Sequence, residues 1–417
     1  MRTSPLARVS CLALLSASLL ASCASTDAST DDPLPGAGGK GDGASASWTV
    51  LVYGAYDTHE GGIPSSLETM AQRVTIDNSR VNLLYLEDPP DGPNTKLWKV
   101  GARKTELVED LGELHMGRPE TLTRVLHDVY ARYPASHVMV DLIGHTNSGV
   151  GAFLPDYFPV SPSWNDERMM YWQVRDAILA SGVPVDVLSL SGCGTADLEV
   201  VARLADTAKF IVGLQEYNMG YTDVRWASSL ARNADISPAG LARRMAEGMF
   251  KLAYYDQGAG GATGAYDTSK LPAVQDALTA LTATLTARAA TNPAELVAAR
   301  RAVLEMKSGG LEFLVDARDL ADQLAATTTD AELASRAAAF GAAIDDLVIG
   351  GGAPTYADDA DHAAAHGINL VFMRPENTGR FVAPEDFDEA SAWPAEQTSF
   401  YEATGWRAFV TALYPSL

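Results

Sequence analysis

Short apolar runs alternate with longer amphipathic segments through residues 47 to 260. The runs have the length and the Val, Ile, Leu and aromatic content of buried strands, and the segments between them have the apolar spacing of helices. The predicted strands are Trp48–Tyr53, Val81–Leu86, His137–Ile143, Val185–Leu190 and Lys209–Gly213, with a hairpin over Lys96–Leu107. Because strands that alternate with helices form parallel sheets with helices on their faces, the pattern predicts an α/β fold.

The helices of this part begin near Pro64 and at Pro119, and further ones are predicted from Met170 to Ala180 and through Glu199. After Gly261 the chain becomes rich in Ala, Leu and Thr, and helical spacing dominates. The predicted elements there are helices over 270–289, 293–307, 317–326 and 331–347, a late strand over Gly367–Met373, and a helix over Trp406–Leu413. We therefore expect an α/β domain over residues 47–260 and a helical C-terminal region over 261–417 that packs on its sheet.

The N-terminal residues have the pattern of an export signal. Arg2 and Arg8 precede an apolar run, and small residues lead into Cys23, as in the bacterial lipoprotein cleavage box. We expect residues 1–22 to be a lipoprotein signal peptide and 23–46 to be a flexible tether that begins at a lipidated Cys23. The alternative is an ordinary secretory signal cleaved near Ala21. Both predict export, and lipidation predicts anchoring at the cell envelope, on the outer membrane or cell surface.

The charge balance narrows the classes of partner. A formal net charge of -22 argues against nucleic acid, because a phosphate backbone would be repelled. Calcium remains open, although no EF-hand pattern is present. His362 and His366 have the spacing of a helical metal pair, but no Glu follows His362 and Gly367 interrupts the helix, so no metal site is predicted.

Cysteine usage points to a single thiol. Cys11 lies in the signal, Cys23 is the expected lipidation site, and Cys193 remains. Counting alone gives equal weight to a buried structural cysteine and to a functional thiol.

Cys193 follows the fourth predicted strand and His145 follows the third, so both lie at the edge of a parallel sheet where ligand sites form.

A thiolate nucleophile and a histidine that protonates the leaving amine are the parts of a cysteine peptidase. Gly192 and Gly194 flank Cys193 and would let a substrate backbone approach closely. The same residues are also compatible with less specific roles. A Cys between glycines is often a tight turn between strand and helix, and an isolated histidine is often an ordinary loop residue.

Several segments, in chain order, resemble the clostripain-like cysteine peptidases, which are relatives of caspases, legumain and gingipain. They are Gly117–Leu122, His145–Gly149, Val185–Cys193 with Glu199, Val212–Glu216, Tyr266–Lys270, Leu314–Leu320 and Phe400–Phe409. The resemblance implies a caspase-type, mostly parallel sheet and a Cys193/His145 dyad without a required third member. It also implies cleavage after basic residues through a thioester, with no required cofactor, and in some members self-processing and calcium activation.

The chain departs from the family pattern beside both reactive residues. Ser191 stands where the family has an acid at the floor of the pocket for the substrate's basic side chain, and a serine cannot pair with a positive charge. We expect Ser191, Gln215, Glu216 and Asp223 around that pocket, with Glu216 or Asp223 as replacement acids. Thr146 stands where the family has a glycine that offers an oxyanion N–H. The expected oxyanion donors are the N–H groups of Cys193 and Thr146, beside Gly192 and Gly194.

Two functions remain in competition. The first is a cysteine endopeptidase that acts on peptides or proteins and is anchored to a membrane by its N-terminal lipid. The second is an inactive surface lipoprotein that binds peptide in the same cleft. A self-cleavage site in the long loop between the dyad members, for instance near Arg168, is compatible with the first.

Overall fold

The computed structural model describes residues 46–55, 67–89, 94–146, 152–153, 169–216, 225–251, 262–306, 313–352, 365–375, 387–388, 393–394 and 399–417. The predicted signal peptide, Cys23 and the predicted tether up to residue 45 lie outside the described residues. Among the helices that the structure describes, none is long and apolar enough to cross a membrane.

The described strands and helices are bounded as follows. The strands are β1 (Ala46–Ala55), β2 (Val81–Asp88), β3 (Lys96–Val100), β4 (Thr105–Asp110), β5 (Ala135–Ile143), β6 (Ala152–Phe153), β7 (Met169–Met170), β8 (Val185–Ser191), β9 (Ala208–Leu214), β10 (Thr263–Asp267), β11 (Leu314–Asp316), β12 (Val348–Gly352), β13 (Asn369–Val371), β14 (Phe387–Asp388) and β15 (Trp393–Pro394). The helices are α1 (Leu67–Arg73), α2 (Pro119–Arg132), α3 (Tyr171–Ser181), α4 (Leu198–Arg203), α5 (Arg225–Arg232), α6 (Pro238–Lys251), α7 (Leu271–Ala289), α8 (Pro293–Ala302), α9 (Ala317–Thr327), α10 (Ala331–Leu347), α11 (Ser399–Ala403) and α12 (Trp406–Leu413).

In the described part of the chain, nine strands form one sheet in the order β12-β10-β9-β8-β5-β1-β2-β3-β4. The central strands β9, β8, β5, β1 and β2 are parallel. The predicted hairpin adds β3 and β4 antiparallel at one edge, and β10 and β12 are antiparallel at the other. The predicted α/β fold with a mostly parallel sheet is confirmed, and β5 and β8 are direct neighbours in it.

The sheet is buried on both faces because successive side chains of a strand point to opposite sides. β1, for example, places Leu51 and Tyr53 in one core and Val50 and Val52 in the other. Helices α2, α3 and α4 cover the first face together with the C-terminal helices, whereas α1, α5 and α6 cover the second. The carboxyl ends of the parallel strands are therefore held rigidly at one edge.

The C-terminal region contains more strands than the single late strand expected. The predicted helices are present as α7 to α10 and α12, but β10 and β12 also extend the main sheet. The late strand is shorter than predicted and pairs with β11 in a separate small sheet. Glycine explains why the added strands were not recognised: a Cβ on Gly264 would lie 2.4 Å from the Gly367 carbonyl oxygen, so packing requires a residue without one.

Candidate active site

The structure places His145 and Cys193 at equivalent positions just beyond the ends of two neighbouring strands, β5 and β8. In the parallel pairing of β5 with β8, Ile143 is the partner of Ser191, and the two reactive residues each follow two positions later. The Gly144 N–H donates to the Ser191 carbonyl at 3.4 Å, which continues the contact beyond the strand ends. Since neighbouring strands run about 4.8 Å apart, this register brings close together the two backbone segments that carry these residues.

Thr146 links the two segments that carry the dyad residues. Its hydroxyl donates a short hydrogen bond to the backbone carbonyl of Cys193. The family's glycine could not make this contact, because it has no side chain. Thr146, where the family has a glycine, therefore connects the segment that carries His145 to the turn that carries Cys193.

The turn that follows Cys193 is fixed against β9. Gly194 has a φ of 57°, in the left-handed region that glycine adopts at little cost, and its N–H donates to the Glu216 carbonyl at 2.7 Å. The Thr195 hydroxyl donates to the Leu190 carbonyl at 2.9 Å and accepts from the Leu214 N–H at 3.1 Å. Sequence reasoning missed Thr195, although hydroxyl residues in turns often bond nearby backbone.

These contacts affect the predicted oxyanion donors. The Gly194 N–H is committed to Glu216, so this glycine serves the turn and does not donate to a substrate oxygen. The Gly192 carbonyl accepts a 3.3 Å hydrogen bond from the Thr195 hydroxyl. The N–H groups of Cys193 and Thr146 remain the expected donors.

A buried polar pair includes Ser191, two positions before Cys193. The Ser191 hydroxyl donates to a carboxylate oxygen of Asp141 at 2.7 Å, and both residues are 0% exposed. The Ser189 hydroxyl lies 3.4 Å from that of Ser191. Sequence reasoning also missed Asp141, whose signal was a single acid inside the otherwise apolar run of β5.

The remaining predicted pocket residues are Gln215, Glu216 and Asp223, and the structure describes the first two. The Gln215 side chain is fully buried: its amide nitrogen donates to Asp316 at 2.9 Å and to Asn369 at 2.8 Å, and its oxygen accepts from the Gly367 N–H. This network leaves the Gln215 amide nothing to offer a substrate, so the structure gives it a role in joining β9 to β11 and β13. The Glu216 side chain is also buried. Asp223 and Arg168 lie outside the described residues.

Comparison with known proteins finds similarity in structure alone. No family model matches the chain, and no curated protein matches its sequence. A secreted C11 cysteine protease from Bacteroides thetaiotaomicron, in complex with an irreversible peptide inhibitor, superposes with a TM-score of 0.61 at 17% identity, covering 87% of this chain and 100% of that one. An inactive zymogen C11 protease from Parabacteroides distasonis gives 0.57 at 16% identity, covering 87% and 99%.

The chain has the fold of the C11 cysteine proteases. This likeness confirms the caspase-type, clostripain-like architecture that the sequence resemblance implied. At these identities it is a statement about the fold, and the roles of individual residues rest on the geometry.

In this C11 fold, the region behind the cysteine turn is acidic and buried. Asp197 accepts from the Tyr401 hydroxyl at 2.8 Å and from the Glu199 N–H at 2.9 Å, and burial raises the pKa of Asp197 to about 8. Burial also raises the pKa of Tyr171, and the charges of Asp197 and then of Cys193 raise it further. Tyr171 is itself buried.

Glu199, which the family resemblance included, has a structural role in this chain. Its carboxylate accepts from the N–H groups of Phe400 at 2.8 Å and Tyr401 at 3.1 Å, and from the Ser399 hydroxyl at 3.1 Å. These are the first residues of α11, so Glu199 caps that helix from a distant part of the chain. Burial raises the pKa of Glu199.

Only one member of the histidine pair at positions 362 and 366 lies in the described part of the chain. His366 contacts Asp316 through its backbone N–H at 2.6 Å and its Nδ1 at 3.1 Å, and His362 lies outside the described part of the chain. Among described residues, no group of three or more His, Cys, Asp or Glu side chains could hold a metal ion.

Proposed function

We propose that the chain is a cysteine endopeptidase in which Cys193 is the nucleophile and His145 the general acid and base. The observation that carries this proposal is the register of β5 and β8, with both residues two positions beyond paired strand ends. Proton transfer requires a thiol and an imidazole to lie close together, and the neighbouring strand ends support such proximity. The C11 fold supports the same assignment.

The proposed reaction has two halves. The Cys193 thiolate attacks the scissile carbonyl carbon, and the resulting oxyanion accepts hydrogen bonds from the N–H groups of Cys193 and Thr146. The C–N bond breaks as protonated His145 gives its proton to the leaving amine, which leaves a thioester. Water then attacks the thioester with His145 as general base, the C–S bond breaks, and the carboxylic acid product leaves with the thiol restored. No cofactor enters these steps.

The substrate side chain at the cleaved bond would meet a floor formed by Ser191 and Asp141. Because the Ser191 hydroxyl donates its hydrogen bond to Asp141, the Ser191 oxygen can act only as an acceptor toward a substrate. The buried carboxylate behind it supplies negative charge one strand away from the family's position. This arrangement favours a substrate side chain with hydrogen-bond donors, and lysine or arginine over glutamate.

The proposal includes export. The lipoprotein-type signal before Cys23 supports anchoring of the enzyme to the cell envelope, where peptides and proteins outside the cytoplasm would be its substrates. Palmitate labelling of cells that express the wild-type chain or Cys23→Ala tests the anchor. Label retained in Cys23→Ala would exclude lipidation at this residue.

The test of the chemistry is covalent labelling by peptidyl acyloxymethyl ketones with lysine, glutamine or glutamate at the reactive position. We expect wild type to be labelled, Cys193→Ala to be unlabelled, and His145→Ala to react far more slowly. Equal labelling of wild type and Cys193→Ala would contradict the peptidase assignment. Labelling of wild type without cleavage of a mixed peptide library would instead favour the alternative, an inactive lipoprotein that binds peptide in the same cleft.

A further inference from the structure

Helices α5 and α6 enclose a surface cavity of about 330 Å³ on the second face of the sheet. Arg225, Arg232 and Arg244 line it, together with the side chains of Ser228 and Ser229. We call these five residues the arginine cleft. The cleft floor includes Gly248, which has no side chain to fill the space.

The arginine cleft stands out against the charge of the whole chain. Three guanidinium groups and one carboxylate, that of Glu247, are contributed by the described residues that line the cavity, whereas the chain has a net charge of -22. Glu247 is already engaged with Arg244 at 2.7 Å. The described lining of the cavity therefore carries more positive than negative charge, in a protein that is strongly acidic.

Arg232 differs from arginines elsewhere in the described part of the chain. Arg175 pairs with Asp176 and Asp206, and Arg318 pairs with Asp322 and Asp345. Among the described residues, Arg232 has no carboxylate partner, and its guanidinium donates only to the Ser229 hydroxyl, at 3.4 Å. Most of the N–H donors of Arg232 are therefore available to another acceptor.

We propose that the arginine cleft binds a small anion that carries two or more phosphate or carboxylate groups. Guanidinium groups bind such oxygens through paired N–H donors, and three arginines line this cavity. The cavity volume suits a compact ligand and lies at the lower end of small-molecule sites. This site is separate from the dyad, because α5 and α6 cover a face of the sheet whereas His145 and Cys193 follow its strand ends.

The experiment is calorimetric titration of the purified wild-type chain with pyrophosphate and, separately, with citrate, at low ionic strength. The comparison variants are Arg232→Gln and the double variant Arg232→Gln/Arg244→Gln. The matched control is Arg336→Gln, which removes an exposed arginine from α10, remote in sequence from the cleft. Circular dichroism spectra of each variant establish that it is folded.

We expect at least one anion to bind, with Arg232→Gln weakening its affinity roughly fivefold or more, the double variant weakening it further, and Arg336→Gln leaving it unchanged. Added salt should weaken binding, because these exposed charges are screened. Binding of pyrophosphate alone would assign the cleft to phosphates, and binding of citrate alone would assign it to carboxylates. No binding of either anion up to about 10 mM, or equal affinity in the double variant, would overturn the proposal.

Discussion

The hydroxyl of Ser191 donates a 2.7 Å hydrogen bond to Asp141, and neither side chain is exposed. The two residues lie on neighbouring parallel strands, β8 and β5, whose ends lead to Cys193 and His145. Ser191, which stands where the family has an acid, is thus hydrogen-bonded to an acid on the next strand, Asp141. We propose that Asp141 takes the place of the acid that the family pattern has beside its cysteine.

The first prediction concerns substrate choice and depends on the proposed peptidase activity. Asp141→Asn keeps an acceptor for Ser191 but removes the charge. We expect kcat/KM for substrates with Lys or Arg before the cleaved bond to fall about tenfold relative to those with Gln, equivalent to about 1.4 kcal/mol. Ser189→Ala, which removes the neighbouring hydroxyl, should leave the ratio unchanged. An unaltered ratio in Asp141→Asn would show that Asp141 has no part in specificity.

The second prediction concerns the link between the dyad segments. Thr146→Val keeps the shape of the side chain but removes the hydroxyl that donates to the Cys193 carbonyl. A lost hydrogen bond of about 1 kcal/mol in the positioning of the turn should lower kcat/KM by roughly fivefold to tenfold. Thr146→Ser, which keeps the hydroxyl, is the matched control and should retain most activity. Steady-state kinetics in which both variants match wild type would argue that the link is incidental.

The third prediction concerns Gln215, which the structure places in a buried network. Gln215→Met fills a similar volume but leaves Asp316, Asn369 and the Gly367 N–H without their partner. We expect the free energy of unfolding to fall by about 2–4 kcal/mol. Urea denaturation measures this loss, and Gln275→Met, on the exposed side of α7, is the control. A loss no larger than that of the control would contradict the assigned role.

The local sequence pattern was sufficient to predict those helices and strands whose formation depends mainly on their own residues. Trp406–Leu413 is a helix over the predicted range, and α2 begins at the predicted Pro119. The strands before His145 and Cys193 were found because buried parallel strands read as continuous apolar runs. Since the carboxyl ends of such strands share one edge, the proximity of the two residues could also be predicted.

Contacts between distant segments could not be predicted in the same way. Gln215 was expected in a substrate pocket, but its partner Asn369 lies 154 positions away, and nothing near Gln215 signals that bond. Gly264 shows a related limit: it lies in a strand because a neighbouring backbone approaches closely, whereas glycine by itself disfavours a strand. The hydrogen bond of Asp141 likewise could not be predicted, because its partner Ser191 lies on the adjacent strand.

The last prediction concerns the pH dependence of stability and rests on His366. Its Nδ1 lies 3.1 Å from an Asp316 carboxylate oxygen, and this hydrogen bond raises the pKa of His366 above 6.5 in the folded state. A histidine whose pKa is raised by folding contributes stability that is fully present below the unfolded pKa and is lost as pH rises through the folded pKa. His366→Gln keeps a neutral donor, so the loss of unfolding free energy should be greater near about pH 5.5 than near about pH 8.5. Because the His366 side chain is 39% exposed, solvent screening should limit this difference to under about 1 kcal/mol. Urea denaturation of both proteins at the two pH values checks it, and a loss that grew with pH would show that Asp316 does not stabilise the protonated ring.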